Sequence, residues 1–134
     1  MTGSVLLAVA GAHLTGMPLN FQLVDRGGKF IRGCRTNAEY VLYALAETTP
    51  SKPGLIRRPG YHGSGVEVEL WSLPLEGFGS FVAELPPPMA IGNVILDDGS
   101  TVKGFTCETY AIEGSENITQ FGGWRNFLKS QLSR

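Results

Sequence analysis

Glycine and proline interrupt this chain so often that a long helix has little room to form. Eighteen glycines and eight prolines fall among 134 residues, and each tends to end or turn a regular element. What survives between them is a series of short apolar or alternating runs, which suit strands better than a helical bundle. The length fits one domain, and no repeat, low-complexity run or linker divides it, so residues 1–134 are read as a single domain. With 43% hydrophobic and 17% charged residues, the chain can bury a core without disulfides or metal.

Residues 5–9 read as a buried first strand, 30–35 as a second, 40–45 as a third and 55–57 as a short fourth. Residues 19–23 fit either a turn of helix or an extended piece. Residues 66–71 alternate with period two: Val66, Val68 and Leu70 share one face, and Glu67, Glu69 and Trp71 the other. A helix is expected over 75–85, with Phe78, Phe81, Val82 and Leu85 on its inner face and a proline triplet to stop it. Residues 93–96 and 102–110 read as a hairpin around 97–100. A closing helix runs from Trp124 to Leu132, its apolar stripe made by Trp124, Phe127, Leu128 and Leu132. The sum is an α+β fold, a small mixed β-barrel with two or three flanking helices.

Charge and spacing exclude several functions. The net charge is −1, and Arg57-Arg58 is the one adjacent basic pair, so no nucleic-acid footprint is present. The longest apolar run, 5–10, is far short of the roughly 20 residues of a membrane span. The start lacks a basic leader, so a cytoplasmic location is expected. Cys34 and Cys107 read as reduced thiols. The two histidines are not spaced for zinc, and no phosphate loop or serine elbow occurs, so neither metal nor cofactor is expected.

The most informative stretch is Gly11-Ala12-His13-Leu14-Thr15-Gly16-Met17-Pro18-Leu19-Asn20. A buried strand stops there, and sites are commonly built on such loops. Gly11 and Gly16 let the backbone bend and let a ligand approach its amides. His13 is one of two histidines; the other, His62, lies in a glycine-rich turn and reads as exposed. Asn20 can hold the loop through its backbone. Glu69 is either a carboxylate facing the interior or ordinary surface charge. Gly122-Gly123-Trp124-Arg125 opens the last helix, where amides and a guanidinium suit a carboxylate. Lys52 sits in the rigid turn Lys52-Pro53-Gly54.

These stretches, in this order, resemble the C-terminal domain of allophanate hydrolase. The likeness continues through Tyr40-Val41-Leu42-Tyr43-Ala44-Leu45, Val66-Glu67-Val68-Glu69-Leu70-Trp71, Gly77-Phe78-Gly79-Ser80-Phe81, Ile91-Gly92, Val102-Lys103-Gly104-Phe105 and Ile118-Thr119-Gln120-Phe121. It implies a fold related to γ-glutamyl cyclotransferases. Those enzymes carry a catalytic glutamate in the helix after the strand matching 66–71. Here that helix offers Glu76 and Glu84, neither in such a motif, so cyclotransferase activity is not expected.

The resemblance further implies a role after allophanate is cut: decarboxylation of the product N-carboxycarbamate, in urea degradation. His13 and Glu69 are then the expected catalytic residues. Gly11, Leu14, Asn20, Tyr43, Lys52, Trp124 and Arg125 are expected to bind the small anionic substrate. On this reading the histidine loop and Arg125 converge on one polar hollow. The chain carries no amidase part, so a separate amidase is the expected partner. The other reading is a non-catalytic assembly module for that amidase. Self-association into a homo-oligomer is left open.

Overall fold

The computed structural model of the chain describes residues 3–46, 48 and 51–132. The strands are β1 (Ser4–Val9), β2 (Lys29–Arg35), β3 (Tyr40–Ala44), β4 (Pro53–Arg57), β5 (Glu67–Pro74), β6 (Met89–Ile95), β7 (Thr101–Cys107) and β8 (Glu116–Asn117). The α-helices are α1 (Phe21–Val24), α2 (Leu75–Ala83) and α3 (Trp124–Leu132).

The strands form two sheets. One has the order β2-β5-β1-β7-β6, and the other β4-β3-β8. In the larger sheet only β1 and β7 run parallel. Its two edges meet at a single bridge, Thr36 to Leu96, just past β2 and β6. The architecture is therefore α+β, as expected, with a curled sheet whose edges meet without closing a continuous ladder, so that barrel describes it only loosely. The reason is local: β2 and β6 end where they meet, so one bridge is all the ladder they share.

The core follows the strand patterning. Leu7 and Val9 of β1, Val68 and Leu73 of β5, and Leu42 of β3 are wholly buried. The alternation over 66–71 holds on one face: Val66, Val68 and Leu70 are buried. The opposite face differs along its length. Glu67 is half-buried, whereas Glu69 and Trp71 are also buried, because the loop after β1 and Arg125 of α3 reach Glu69 there. By contrast, β2 lies at a sheet edge and is exposed along most of its length.

Some boundaries differ from expectation. The strand β4 starts at Pro53, two residues early, because it pairs with β3 over five residues. The strand β6 starts at Met89, four residues early, and is held by seven paired positions on β7. Gly92 and Asn93 hide that strand from any apolar count. The strand β7 stops at Cys107, and Thr109–Ile112 is a short 3-10 turn. Helix α2 ends at Ala83, ahead of the proline triplet, which disfavours helical backbone before it. The stripe of α3 is narrower than expected: Trp124 and Phe127 are buried, but Leu132 is 86% exposed at the helix end. No helix among the described residues is long and apolar enough to cross a membrane.

Candidate functional site

The loop after β1 is folded by its own backbone. The amides of Leu14, Met17 and Leu19 donate to the carbonyls of Gly11, Leu14 and Ala12. The Asn20 amide Nδ2 donates to the His13 carbonyl at 2.8 Å, so Asn20 shapes the loop from behind. Gly11 must be glycine for a reason of space. A Cβ there would lie 2.1 Å from Pro53 Cδ and 2.3 Å from Pro53 Cγ. Gly11→Ala is therefore expected to cost about 1–3 kcal/mol through overpacking, read as a lower urea midpoint with unchanged slope.

This folding buries His13. The residue is 6% exposed, and its ring stacks on Phe105 at 4.7 Å and meets Phe81 edge-on at 5.2 Å. Nε2 lies 2.8 Å from Gln22 Oε1 on α1. Burial pushes the imidazole down to about 4, with help from the Lys52 charge; the Gln22 hydrogen bond opposes the shift. The ring is thus neutral at pH 7.

That depressed value has a consequence for stability. The unfolded chain takes up a proton at His13 near the ordinary 6.5, whereas the folded chain resists until about 4. Stability from this group is complete above that ordinary value and drains as the pH falls between the two. The loss by pH 4.5 is on the order of 2–3 kcal/mol. Denaturant titrations at pH 7 and 4.5 should show it in the wild type and a smaller drop in His13→Gln.

A cavity of about 280 Å³ opens on His13, with Gln22, Arg26, Lys52, Phe81 and Glu84 among its walls. Lys52 is 9% exposed. No hydrogen bond or ion pair engages its ammonium among the described residues. Arg26 is tied down: it donates to Glu84, Ser80 and the Gln22 carbonyl. A small chamber of about 20 Å³ lies against His13 and Lys52 too, walled by Gly11, Ala12, Leu55 and Phe105.

Glu69 and Arg125 form a second constellation. Glu69 Oε1 accepts from the Thr15 amide and hydroxyl, each at 2.9 Å, and from Trp71 Nε1 at 3.2 Å. Its Oε2 accepts from Arg125 Nη2 at 3.1 Å. Burial works to raise this carboxyl, but the Thr15 and Trp71 hydrogen bonds and the Arg125 charge outweigh it and hold the group below its ordinary value. Arg125 also donates to the Thr15 carbonyl at 2.5 Å. The two residues clamp the histidine loop to the sheet and to α3.

The structure thus divides the expected site. His13, Gly11 and Lys52 gather around connected walls. Glu69 and Arg125 instead flank an open depression of about 360 Å³ with Gly33, Cys34, Arg35 and Glu67. The single hollow expected for His13 and Arg125 is not formed; Arg125 reaches the loop through the Thr15 carbonyl, two residues on from His13. Leu14 and Trp124 are core residues, 0% and 3% exposed. Tyr43 is half-buried on β3, and its hydroxyl accepts from Arg58. Gln22, Arg26, Phe81 and Phe105 escaped the sequence reading. They come from α1 and the turn after it, from α2 and from β7, and no local spacing marks them as neighbours of His13.

Comparison with known proteins agrees with this architecture. The family model of the allophanate hydrolase C-terminal domain matches residues 5–129. Urea amidolyase of Lachancea kluyveri is 42% identical over 128 residues, which span 93% of this chain but only 7% of that protein. Allophanate hydrolase of Kluyveromyces lactis superposes with a TM-score of 0.91 at 40% identity, over 96% of this chain and 21% of that one. A uropathogenic E. coli-specific protein superposes at 0.87 and 38% identity, over 95% of this chain and 97% of that one. A γ-glutamyl cyclotransferase shares the fold alone, with a TM-score of 0.59 at 13% identity over 79% of this chain and 68% of that one.

Proposed function

The chain belongs to the allophanate hydrolase C-terminal domain family, and from that premise we propose that it is a cytoplasmic decarboxylase of urea breakdown, releasing CO2 from N-carboxycarbamate. The observation that carries this reading is one cavity walled by a buried neutral imidazole, His13, and by Lys52, whose ammonium has no hydrogen bond or ion pair among the described residues.

The substrate is a small dianion with two carboxylates on one nitrogen. Lys52 and the Gln22 amide supply donors for it, and the apolar ring of Phe81 on the cavity wall, with Phe105 stacked on the imidazole, limits water at His13. In the reaction one C–N bond breaks, CO2 leaves, and the electron pair stays on nitrogen. That nitrogen must take a proton. A bound dianion opposes the two influences that keep His13 neutral, because it favours the imidazolium and offsets Lys52. The ring then takes a proton from solvent and passes it to the departing nitrogen. Glu69 and Arg125 act through the loop, holding the His13 backbone in place.

An amidase acting on allophanate supplies the substrate in the test. Adding this protein should speed CO2 release beyond the spontaneous rate. A second reading, a docking module for an amidase, is favoured by the small share of urea amidolyase that this chain matches. Co-elution with an amidase and no gain in CO2 release would select that reading.

A further inference from the structure

We infer that Gln22 is a positioning residue that fixes the tautomer of His13, leaving Nδ1 as the nitrogen that exchanges the proton. The role of Nδ1 rests on the proposed decarboxylation; the tautomer does not.

The argument begins from the hydrogen bond. Gln22 Oε1 stands 2.8 Å from His13 Nε2. An amide oxygen only accepts, so Nε2 carries the proton in the neutral ring and the lone pair sits on Nδ1. The rest of the site supports the same orientation. Phe105 stacked on the ring and Phe81 against its edge limit how it can turn. The main chain of Gln22 is held, because it lies on α1 and its backbone carbonyl accepts from Arg26 Nη1 at 3.1 Å. Arg26 is fixed in turn by Ser80 and Glu84. A chain of contacts thus runs from the end of α2 through Arg26 and Gln22 to the imidazole. The Gln22 amide nitrogen stays available to a carboxylate in the cavity.

The charged groups around the ring are Lys52 ahead of β4, Arg26 after α1 and Glu84 after α2. Arg26 and Glu84 are paired with each other. Among the described residues Lys52 is the remaining charge, and it disfavours a proton on the ring. Gln22 works against it by accepting from Nε2–H, which favours the imidazolium.

The test is long-range ¹H–¹⁵N NMR of the imidazoles in the full chain at pH 7, with no substrate needed. His62→Gln assigns the two rings. The expected result is a protonated Nε2 and a bare Nδ1 for His13. Gln22→Leu should mix the tautomers and lower the apparent titration of the ring. Gln22→Glu should keep the tautomer and raise it. In CO2 release, Gln22→Leu should slow turnover by about tenfold or more, the scale seen when a histidine loses its orienting partner, and Gln22→Glu should move the pH profile upward. A protonated Nδ1 in the wild type overturns the inference, as does a tautomer unchanged in Gln22→Leu. Should Gln22→Leu not fold, an unmoved titration in Gln22→Glu overturns it equally. A protonated Nε2 in a protein that releases no CO2 would sink the decarboxylase reading and leave the tautomer standing.

Discussion

Glu69→Ala is expected to cost about 3 kcal/mol, a drop of roughly 10 °C in Tm. Glu69 is 8% exposed, and both carboxylate oxygens are engaged. Its removal strands the Thr15 amide and the buried Trp71 Nε1–H. It also takes from Arg125 its nearer carboxylate, but that side chain is 30% exposed and keeps Glu67 at 3.8 Å and the Thr15 carbonyl, so the figure sits at the low end for a broken buried pair. Glu69→Gln separates the contributions. Its amide oxygen can still accept from Thr15 and Trp71, while its NH2 group faces Arg125. It should lose about half as much, a difference that calorimetry resolves. Equal losses in both variants would place the stability in charge pairing alone.

His13→Gln carries the second large effect, a fall in CO2 release of about 10²–10⁴-fold, the usual scale for a general acid or base. Glutamine is the better probe than alanine. The imidazole packs between Phe81 and Phe105, so alanine would open a cavity and mix lost chemistry with lost stability. The burial of His13 makes this choice matter, because truncating it would change stability as well as chemistry. Glutamine keeps polar atoms and most of the volume but cannot carry a proton at neutral pH.

Much of the fold was legible in the chain. The apolar run of β1, the alternation of β5 and the glycine-proline punctuation place most strands within a few residues. The irregular loop over 11–20 was legible as well, because glycine-bearing, turn-forming residues follow a buried strand, and the backbone there does turn on its own hydrogen bonds. The partners of His13 were not legible. Gln22 lies nine residues on in a four-residue helix, and Phe105 reaches His13 only because β7 lies parallel to β1. Such pairings depend on sheet order, which local periodicity does not encode. Arg125 illustrates the opposite error. A helix start with two glycines and a guanidinium reads as an anion site, yet Glu69 and the Thr15 carbonyl occupy that guanidinium within the protein.

The most direct measurement follows CO2 release from N-carboxycarbamate, generated by a separate amidase, with wild-type protein and with His13→Gln. Wild type should raise the rate well above the spontaneous one, and His13→Gln, folded and at equal concentration, should return it to within a small multiple of that baseline. Equal acceleration by both proteins, or none by the wild type, would contradict the assignment of His13 as the acid-base group of this cavity.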